Sequence, residues 1–267
     1  MSSFVSRLIV SAIGLPVVLG LVYLGGWWVV GLALGAALVA LHELYVMVRP
    51  LRPLVLAGYG GVALGLVAIP LGGLGWMLGG VLATLVLAFG FYVVAETRQP
   101  ATVAIGSTVL GAVWIGFGLG FLVLLREHGS ESIGRYAAFA TLLAVWGGDS
   151  AAYLVGRLVG RHRLAPTLSP GKTWEGFVAG AAATIFIAFI TLYRNDNHFL
   201  TGWRPVALGA VIAIAAVVGD LFESALKRDM EVKDTGRILG GHGGMLDRVD
   251  ALLFAGPAAF FTILALS

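Results

Sequence analysis

Long apolar stretches follow one another along almost the whole chain, and only short polar segments separate them. Nine of these stretches have roughly the 20 residues that a helix needs to cross the hydrocarbon core of a bilayer. They cover roughly residues 8–25, 27–47, 53–72, 74–95, 102–125, 136–156, 174–193, 205–225 and 246–266. No convincing cleavage site follows the first stretch, so we expect a retained helix rather than a signal peptide. The pattern predicts an all-α, polytopic integral membrane protein with about nine transmembrane helices.

The composition supports this prediction and excludes several other classes of protein. Of 267 residues, 59% are hydrophobic and only 12% are charged, whereas about 25% are charged in an ordinary soluble protein. This excludes a disordered chain, a collagen and a soluble secreted scaffold. The chain has no cysteine, so it has no disulfide, thiolate zinc site or cysteine nucleophile. Its net charge of +3 comes without a run of basic residues, so we expect a lipid bilayer and no nucleic acid as its partner.

The distribution of basic residues predicts the orientation in the membrane. With a cytoplasmic N-terminus and nine spans, 13 of the 17 lysines and arginines lie on the cytoplasmic side, as the positive-inside rule requires. Two polar loops, 157–173 and 226–245, then face the cytoplasm together, and the C-terminus lies outside. Residues 1–100 carry few polar residues, and we interpret them as scaffold helices. We expect the catalytic region to cover residues 101–267.

Pairs of glycines four residues apart recur in the apolar stretches. Such pairs let helix backbones approach closely inside a membrane. We therefore expect them to pack helices against each other, with a dimer seam as the alternative for one pair. The pairs are Gly31/Gly35, Gly61/Gly65, Gly75/Gly79, Gly116/Gly120 and Gly176/Gly180.

Acidic residues in or beside apolar stretches are candidates for function, because a carboxylate inside a membrane is costly unless it is paired or hydrated. Glu43 follows His42 in an otherwise apolar stretch, and a helix-packing hydrogen bond would also explain it. Asp149, Tyr153 and Arg157 share one face of a predicted helix. An ion pair between Asp149 and Arg157 would explain those two residues equally well.

The segment from Ser169 to Gly176 is predicted to be a loop that enters a helix. Free N–H groups and the positive dipole end at a helix N-terminus favour phosphate, and Lys172 adds a mobile cation. The segment is not a P-loop, because Pro166 stands where that motif needs glycine. A capped helix start with an interfacial lysine remains the alternative.

The densest group of polar residues lies between Gly219 and Asp250. Asp220, Glu223 and Lys227 form one stripe along a helix, and Asp247 and Asp250 lie three residues apart on the next helix. The basic segment between them ends in a run of glycines around position 242. Carboxylates from two helices beside a basic loop suit magnesium and polyphosphate. A solvated, positive-inside loop would explain the lysines, but not the glycines or the acids on both flanks.

These residues also carry a family resemblance. Ser224-Ala-Leu-Lys-Arg228, Lys233-Asp234 and His242-Gly-Gly-Met-Leu-Asp-Arg-Val-Asp250 resemble the signature of the phosphatidate cytidylyltransferases, or CDP-diacylglycerol synthases, along all 27 residues. The stretches around 149–157 and 169–176 are similar to that family too. The resemblance therefore covers about the C-terminal 120 residues, and the N-terminal half matches only in hydropathy.

The resemblance implies that CTP and phosphatidic acid react, with magnesium, to CDP-diacylglycerol and pyrophosphate in membrane phospholipid biosynthesis. It also implies a homodimer in the inner (plasma) membrane, with its active site facing the cytoplasm. Under this interpretation one or more Mg²⁺ ions are held first by Asp220 and Asp247, with Glu223 and Asp250 as further ligands or their partners. The expected phosphate and substrate contacts are Ser169, Lys172, Ser224, Lys227, Arg228, Lys233, Asp234 and Arg248, and His242 either polarises a phosphate oxygen or orients the loop.

Other classes of protein fit the sequence less well. A CDP-alcohol phosphotransferase would need an Asp-Gly-x-x-Ala-Arg motif, which the chain lacks. A lipid-alcohol kinase, including a CTP-dependent polyprenol kinase, should lack the full signature. An ion-coupled transporter would also bury acids in helices, but near the membrane midplane and often in two repeats. Here the acids cluster with a basic loop, and no repeat is evident.

Overall fold

A computed structural model describes residues 3–95, 99–193, 199–236 and 243–267, with side chains from residue 12 onward. Most of these residues are helical. The helices are α1 (Ser3–Leu24), α2 (Gly26–Met47), a 3-10 turn (Arg49–Leu51), α3 (Val55–Val94), α4 (Ala101–Gly111), a π-helical turn (Ala112–Phe117), α5 (Gly118–Arg126), α6 (Glu131–Val159), α7 (Trp174–Tyr193), α8 (Arg204–Asp229) and α9 (Leu246–Leu266).

Seven helical segments within the described ranges are long and apolar enough to cross a membrane. They are α2, α3, the continuous run Ala101–Arg126, α6, α7, α8 and α9. The chain is therefore a multi-span, predominantly helical membrane protein. The count of nine spans and the cytoplasmic N-terminus stay predictions.

Helix α3 contains two of the nine predicted stretches, because its 40 residues fold back as a hairpin. The backbone leaves helical geometry at Gly72 and Gly73. Gly73 has a φ of 62°, a backbone angle that residues other than glycine rarely adopt. A Cβ added to Gly65 would lie 3.3 Å from the Cα of Gly80 on the returning arm. The two arms therefore pack antiparallel through small residues.

Contacts between residues divide the chain into two compact units. The first unit comprises Met1–Leu124 and Met230–Val249, and the second comprises Leu125–Asp229 and Asp250–Ser267. The expected division into a scaffold and a catalytic region at residue 100 stays a prediction.

In the first unit, α2 packs on α3, and α3 packs on α4 and the π-helical turn. Buried hydrogen bonds reinforce this packing. The Tyr45 hydroxyl of α2 donates to the Thr108 carbonyl oxygen of α4 at 2.8 Å. The Thr108 hydroxyl oxygen accepts from the backbone N–H of Leu54 at 2.7 Å.

In the second unit, α6 packs on α7 and α7 packs on α8. Glycines set the distance between α6 and α7: a Cβ added to Gly180 would lie 2.8 Å from the Ala152 Cβ and 3.0 Å from the Gly148 carbonyl oxygen. The Thr184 hydroxyl of α7 is also 3.2 Å from the Ala144 carbonyl oxygen of α6. This packing brings the start of α7 beside the end of α6.

The prediction that the glycine pairs pack helices together is confirmed for three pairs and wrong for two. A Cβ added to Gly61, Gly65, Gly116, Gly120, Gly176 or Gly180 would collide with or press on a neighbouring segment. By contrast, nothing in the described parts of the chain lies within 4 Å of a Cβ added to Gly31, Gly35, Gly75 or Gly79. A dimer seam at one of those two pairs stays a prediction.

Parts of the two predicted polar loops form regular secondary structure in the described residues. Loop 157–173 contains an antiparallel hairpin of strands β1 (Arg163–Ala165) and β2 (Ser169–Thr173), with Arg163 opposite Thr173 and Ala165 opposite Ser169. Loop 226–245 starts later than predicted, because α8 continues to Asp229. The hairpin is the one addition to the predicted all-α class within the described residues.

Candidate functional site

Three acidic side chains converge in the second unit. Asp220 and Glu223 lie on α8 and Asp250 lies on α9, and one carboxylate oxygen from each lies within 4.8 Å of the others. We call these three residues the acidic cluster. Gly219 allows the close approach, because a Cβ there would lie 2.6 Å from the Asp250 carbonyl oxygen. The prediction that acids on these two helices meet is thus confirmed for Asp250.

Two lysines pair with two of the three acids of the cluster. The Nζ of Lys172 is 2.6 Å from Oδ2 of Asp220, and the Nζ of Lys227 is 2.7 Å from Oε2 of Glu223. The Glu223 side chain is 1% exposed and that of Lys227 is 15% exposed, so water screens this pair little. Carboxylates and mobile ammonium groups therefore share one polar site at the polar ends of apolar helices.

The β-hairpin explains how Lys172 reaches Asp220. Strand β2 leads directly into α7, where the Thr173 hydroxyl oxygen accepts from the Gly176 N–H at 3.1 Å. The Glu175 carboxylate accepts from the backbone N–H groups of Arg161 and His162 at 3.1–3.3 Å. The helix start is therefore capped, as the alternative interpretation required, and Lys172 also faces the acidic cluster.

The hairpin is also joined to the end of α8. The Arg228 Nε donates to the Leu168 carbonyl oxygen at 3.2 Å, and an Arg163 guanidinium nitrogen donates to the Pro170 carbonyl oxygen. Arg228 therefore supports the hairpin that carries Lys172.

Asp149 lies near the acidic cluster but is not one of its three residues, and the sequence does not single it out as a ligand or substrate contact. It interacts electrostatically with Lys172, Asp220 and Asp250. Arg157 instead donates a hydrogen bond to the Tyr153 hydroxyl at 2.9 Å. Among the described residues, Asp149 and Arg157 do not form an ion pair. The sequence signal is present, because Asp149 is an acid in an apolar stretch, but its partners lie on other segments.

Asp247 lies in the first unit and has backbone partners there. The backbone N–H of Gly244 donates to Asp247 Oδ2 at 2.8 Å, and that of Thr235 lies 3.3–3.4 Å from both oxygens. Gly243 has a φ of 79°, and a Cβ there would lie 2.9 Å from Asp247 Oδ2. The carboxylate of Asp247 is thus held by backbone N–H groups of the signature. Its role as a metal ligand stays a prediction.

The remaining predicted residues occupy several settings. The Ser224 hydroxyl is buried and lies 3.5 Å from Asp220 Oδ1, so it belongs to the site. Ser169 is half-buried at the start of β2. Lys233, Asp234 and Arg248 are exposed and lie in the first unit. His242 lies outside the described residues.

The acidic cluster has the donor chemistry of a magnesium site. Magnesium prefers oxygen ligands, and it is usually bound through one or two carboxylates together with phosphate oxygens and water. Asp220, Glu223 and Asp250 supply such carboxylates on two rigid helices. Lys172 and Lys227 are placed to neutralise phosphate oxygens beside them.

The comparison with known proteins agrees with this chemistry. The profile of the cytidylyltransferase family matches residues 5–266. A phosphatidate cytidylyltransferase of Mycobacterium bovis is 32% identical over 94% of this chain and 85% of its own. One of Staphylococcus haemolyticus is 32% identical over 94% of this chain and 95% of its own. The match includes the N-terminal half, so the chain belongs to the cytidylyltransferase family.

Proposed function

We propose that the chain transfers the cytidylyl group of CTP to phosphatidic acid, which yields CDP-diacylglycerol and pyrophosphate for phospholipid biosynthesis. The observation that carries the proposal is the acidic cluster with Lys172 and Lys227 paired to it at 2.6 and 2.7 Å. A site of this kind serves two polyanionic substrates, because it combines metal-binding carboxylates with cations for phosphate. The named relatives are phosphatidate cytidylyltransferases, which identifies the two substrates.

The reaction needs no nucleophile from the protein. A phosphate oxygen of phosphatidic acid attacks the α-phosphorus of CTP, a new P–O bond forms, and the bond to the β-phosphate oxygen breaks. Pyrophosphate carries away the electron pair. Catalysis of such a transfer comes mainly from positioning and from neutralising charge. Lys172 and Lys227 would bind phosphate oxygens, and Ser224 would hold Asp220 in place.

Magnesium is part of this proposal. Asp220, Glu223 and Asp250 would hold it, and Asp247, three residues before Asp250 on α9, keeps its predicted role as a further ligand. When bound, the ion would supply positive charge beside the phosphates of both substrates. The lysines paired with Asp220 and Glu223 would then be available to phosphate oxygens.

We also propose where the reaction takes place. Most basic residues of the C-terminal half lie in two polar segments. One of these segments carries Lys172 and the other carries the signature, and the positive-inside rule assigns such segments to the cytoplasm. A cytoplasm-facing site in the inner membrane would let water-soluble CTP meet a lipid phosphate. The homodimer implied by the family resemblance remains part of the proposal.

Product analysis tests the proposed function. Purified protein in detergent micelles is supplied with phosphatidic acid, magnesium and CTP labelled at either the α- or the γ-phosphate. We expect α-label in a CDP-lipid and γ-label only in pyrophosphate. Label from the γ-position in the lipid would indicate a kinase instead, and no labelled lipid from folded protein would refute the proposal.

A matched pair of variants ties the activity to the acidic cluster. Asp220→Asn removes one negative charge with little change of shape, and we expect activity to fall by orders of magnitude and magnesium dependence to change. Glu131→Gln is the control. It removes a charge at the first residue of α6, where the side chain is 72% exposed, and it should leave activity unchanged. Equal activity in both variants would place the reaction elsewhere.

A further inference from the structure

Glu43 is a buried acid in the half of the chain that the sequence marks as scaffold. Its side chain is 2% exposed in α2, and a buried carboxylate is costly unless it is hydrogen-bonded. The backbone N–H of Leu246 donates to Glu43 Oε2 at 2.9 Å, across 203 positions of sequence. Both residues belong to the first unit.

This hydrogen bond lies at the start of α9. Leu246 is the first residue of that helix, and the first N–H groups of a helix have no partner within the helix itself. Glu43 therefore caps α9 from another helix. The Leu246 side chain is fully buried, so the helix start is fixed by both packing and a charge-assisted hydrogen bond.

Two glycines of the signature, Gly236 and Gly244, lie against the Glu43 carboxylate. A Cβ added to Gly236 would lie 2.4 Å from Oε1 of Glu43, and one added to Gly244 would lie 2.5 Å from Oε2. A side chain at either position would have to displace the Glu43 carboxylate from the space that it fills. A Cβ at Gly244 would also lie 2.5 Å from the Thr235 hydroxyl oxygen.

Asp247 is held by the same residues. It is adjacent to Leu246, and it accepts hydrogen bonds from the backbone of Thr235 and Gly244. The geometry of Asp247 thus depends on Gly244, which also lies against the Glu43 carboxylate. Oε1 of Glu43 has no hydrogen-bond partner among the described residues, so the contact with Leu246 is the bond that a substitution would remove.

We infer that Glu43 is a positioning residue for the reaction: it fixes the start of α9 at Leu246 together with Gly236 and Gly244, and thereby orients the carboxylate of Asp247. This inference rests on the proposed function and extends it, because it assigns a functional residue to the N-terminal helices. Glu43 acts through Leu246 and its neighbours rather than by contact with substrate.

Kinetics of three variants test the inference. Glu43→Ala removes the acceptor, and Glu43→Asp keeps the charge but is one methylene too short to reach Leu246. Both should lower kcat by about tenfold or more, as expected for loss of a charge-assisted hydrogen bond, and raise the magnesium concentration for half-maximal rate. Glu43→Gln keeps an acceptor oxygen and should recover most of kcat.

The control is Tyr45→Phe. It removes a buried hydrogen bond from the same helix, but that bond goes to Thr108 in α4. We expect wild-type kcat and an unchanged magnesium requirement for this variant. Amide hydrogen exchange over residues 243–249 gives a second measurement, and it should speed up in Glu43→Ala and Glu43→Asp but not in Tyr45→Phe.

The outcomes separate this inference from the proposed function. If Glu43→Ala does not fold, Glu43→Asp decides the question. Wild-type kcat and an unchanged magnesium requirement in the folded fraction of Glu43→Asp would show that Glu43 has only a structural role and would overturn the inference. Unchanged exchange over residues 243–249 in the same variant would also overturn it. Absence of CDP-lipid with the wild-type protein would instead refute the proposed function.

Discussion

Replacing Lys227 by methionine is the sharpest test of the site, because it removes one charge from a nearly buried pair while keeping most of the length of the side chain. Lys227 Nζ lies 2.7 Å from Glu223 Oε2, one helical turn away on α8. If Lys227 binds a phosphate oxygen of the reacting group in the transition state, its loss lowers kcat more than it changes either KM.

The size of the effect follows from the setting of the pair. A hydrogen bond to a charged group contributes about 1.5–3 kcal/mol, which corresponds to a fall in kcat of about tenfold to a hundredfold. Stability should fall as well, because removing one partner of a buried ion pair costs about 3–5 kcal/mol. We expect the lower end of that range, since Lys227 is 15% exposed.

A second substitution separates activity from stability. In the double variant Glu223→Gln/Lys227→Met, both charges of the buried pair are removed. The double variant should regain much of the thermal stability, because it no longer buries the Glu223 charge that Lys227 balances in the wild-type protein. It should stay as inactive as Lys227→Met or become less active.

The assay is steady-state kinetics in detergent micelles, with CTP and phosphatidic acid varied separately and with thermal unfolding measured in parallel. Arg135→Met is the matched control, because Arg135 forms the same i, i+4 pair with Glu131, whose side chain is 72% exposed. Exposed pairs contribute at most about 1 kcal/mol, and this one lies away from the acidic cluster. Wild-type kcat in folded Lys227→Met would refute the catalytic role and leave the pair a structural one.

Three further predictions follow from the same contacts. Lys172→Ala should mainly raise the KM of one substrate, and wild-type kinetics would mean that its segment serves only as a helix cap. Gly180→Ala should lower the free energy of unfolding by about 1–3 kcal/mol, because it overpacks α6 against α7. Gly79→Ala has open space around it and should not destabilise the protein, so equal melting temperatures of the two variants would contradict the packing. A cysteine at position 241 and an N-terminal tag should be labelled from the cytoplasm and a C-terminal tag from outside, and a cytoplasmic C-terminus would show that the count of nine spans is wrong.

The class of protein and the region of the site can both be inferred from the order of the residues alone. In lipid, an apolar stretch of about 20 residues forms a helix, because only then are its backbone N–H and C=O groups hydrogen-bonded within the stretch. The helices of the structure cover these stretches. The signature from Ser224 to Asp250 carries the family resemblance in its residue types and spacing alone. Lys172 and Lys227 are predicted because a phosphate site needs cations, and both lie beside acids of the cluster.

Which of these groups lie in contact depends on how the helices pack. Hydropathy assigned two separate stretches to residues 53–95, but the close approach of Gly65 and Gly80 shows that they form one antiparallel hairpin. The short β-hairpin that brings Lys172 to Asp220 has no period-2 apolar pattern, so its sequence resembles a loop. Asp149 and Glu43 are visible in the sequence as acids in apolar stretches, but their partners are not.

Periodicity reports the local environment of a residue, whereas a site is formed by contacts between segments that are distant in sequence. Burial of a carboxylate at position 43 can be inferred from the apolar residues around it. Its hydrogen bond to Leu246, 203 positions away, depends on how α2 packs beside the start of α9. That packing is set by the shapes of many side chains and glycines together, and no short stretch of sequence specifies it.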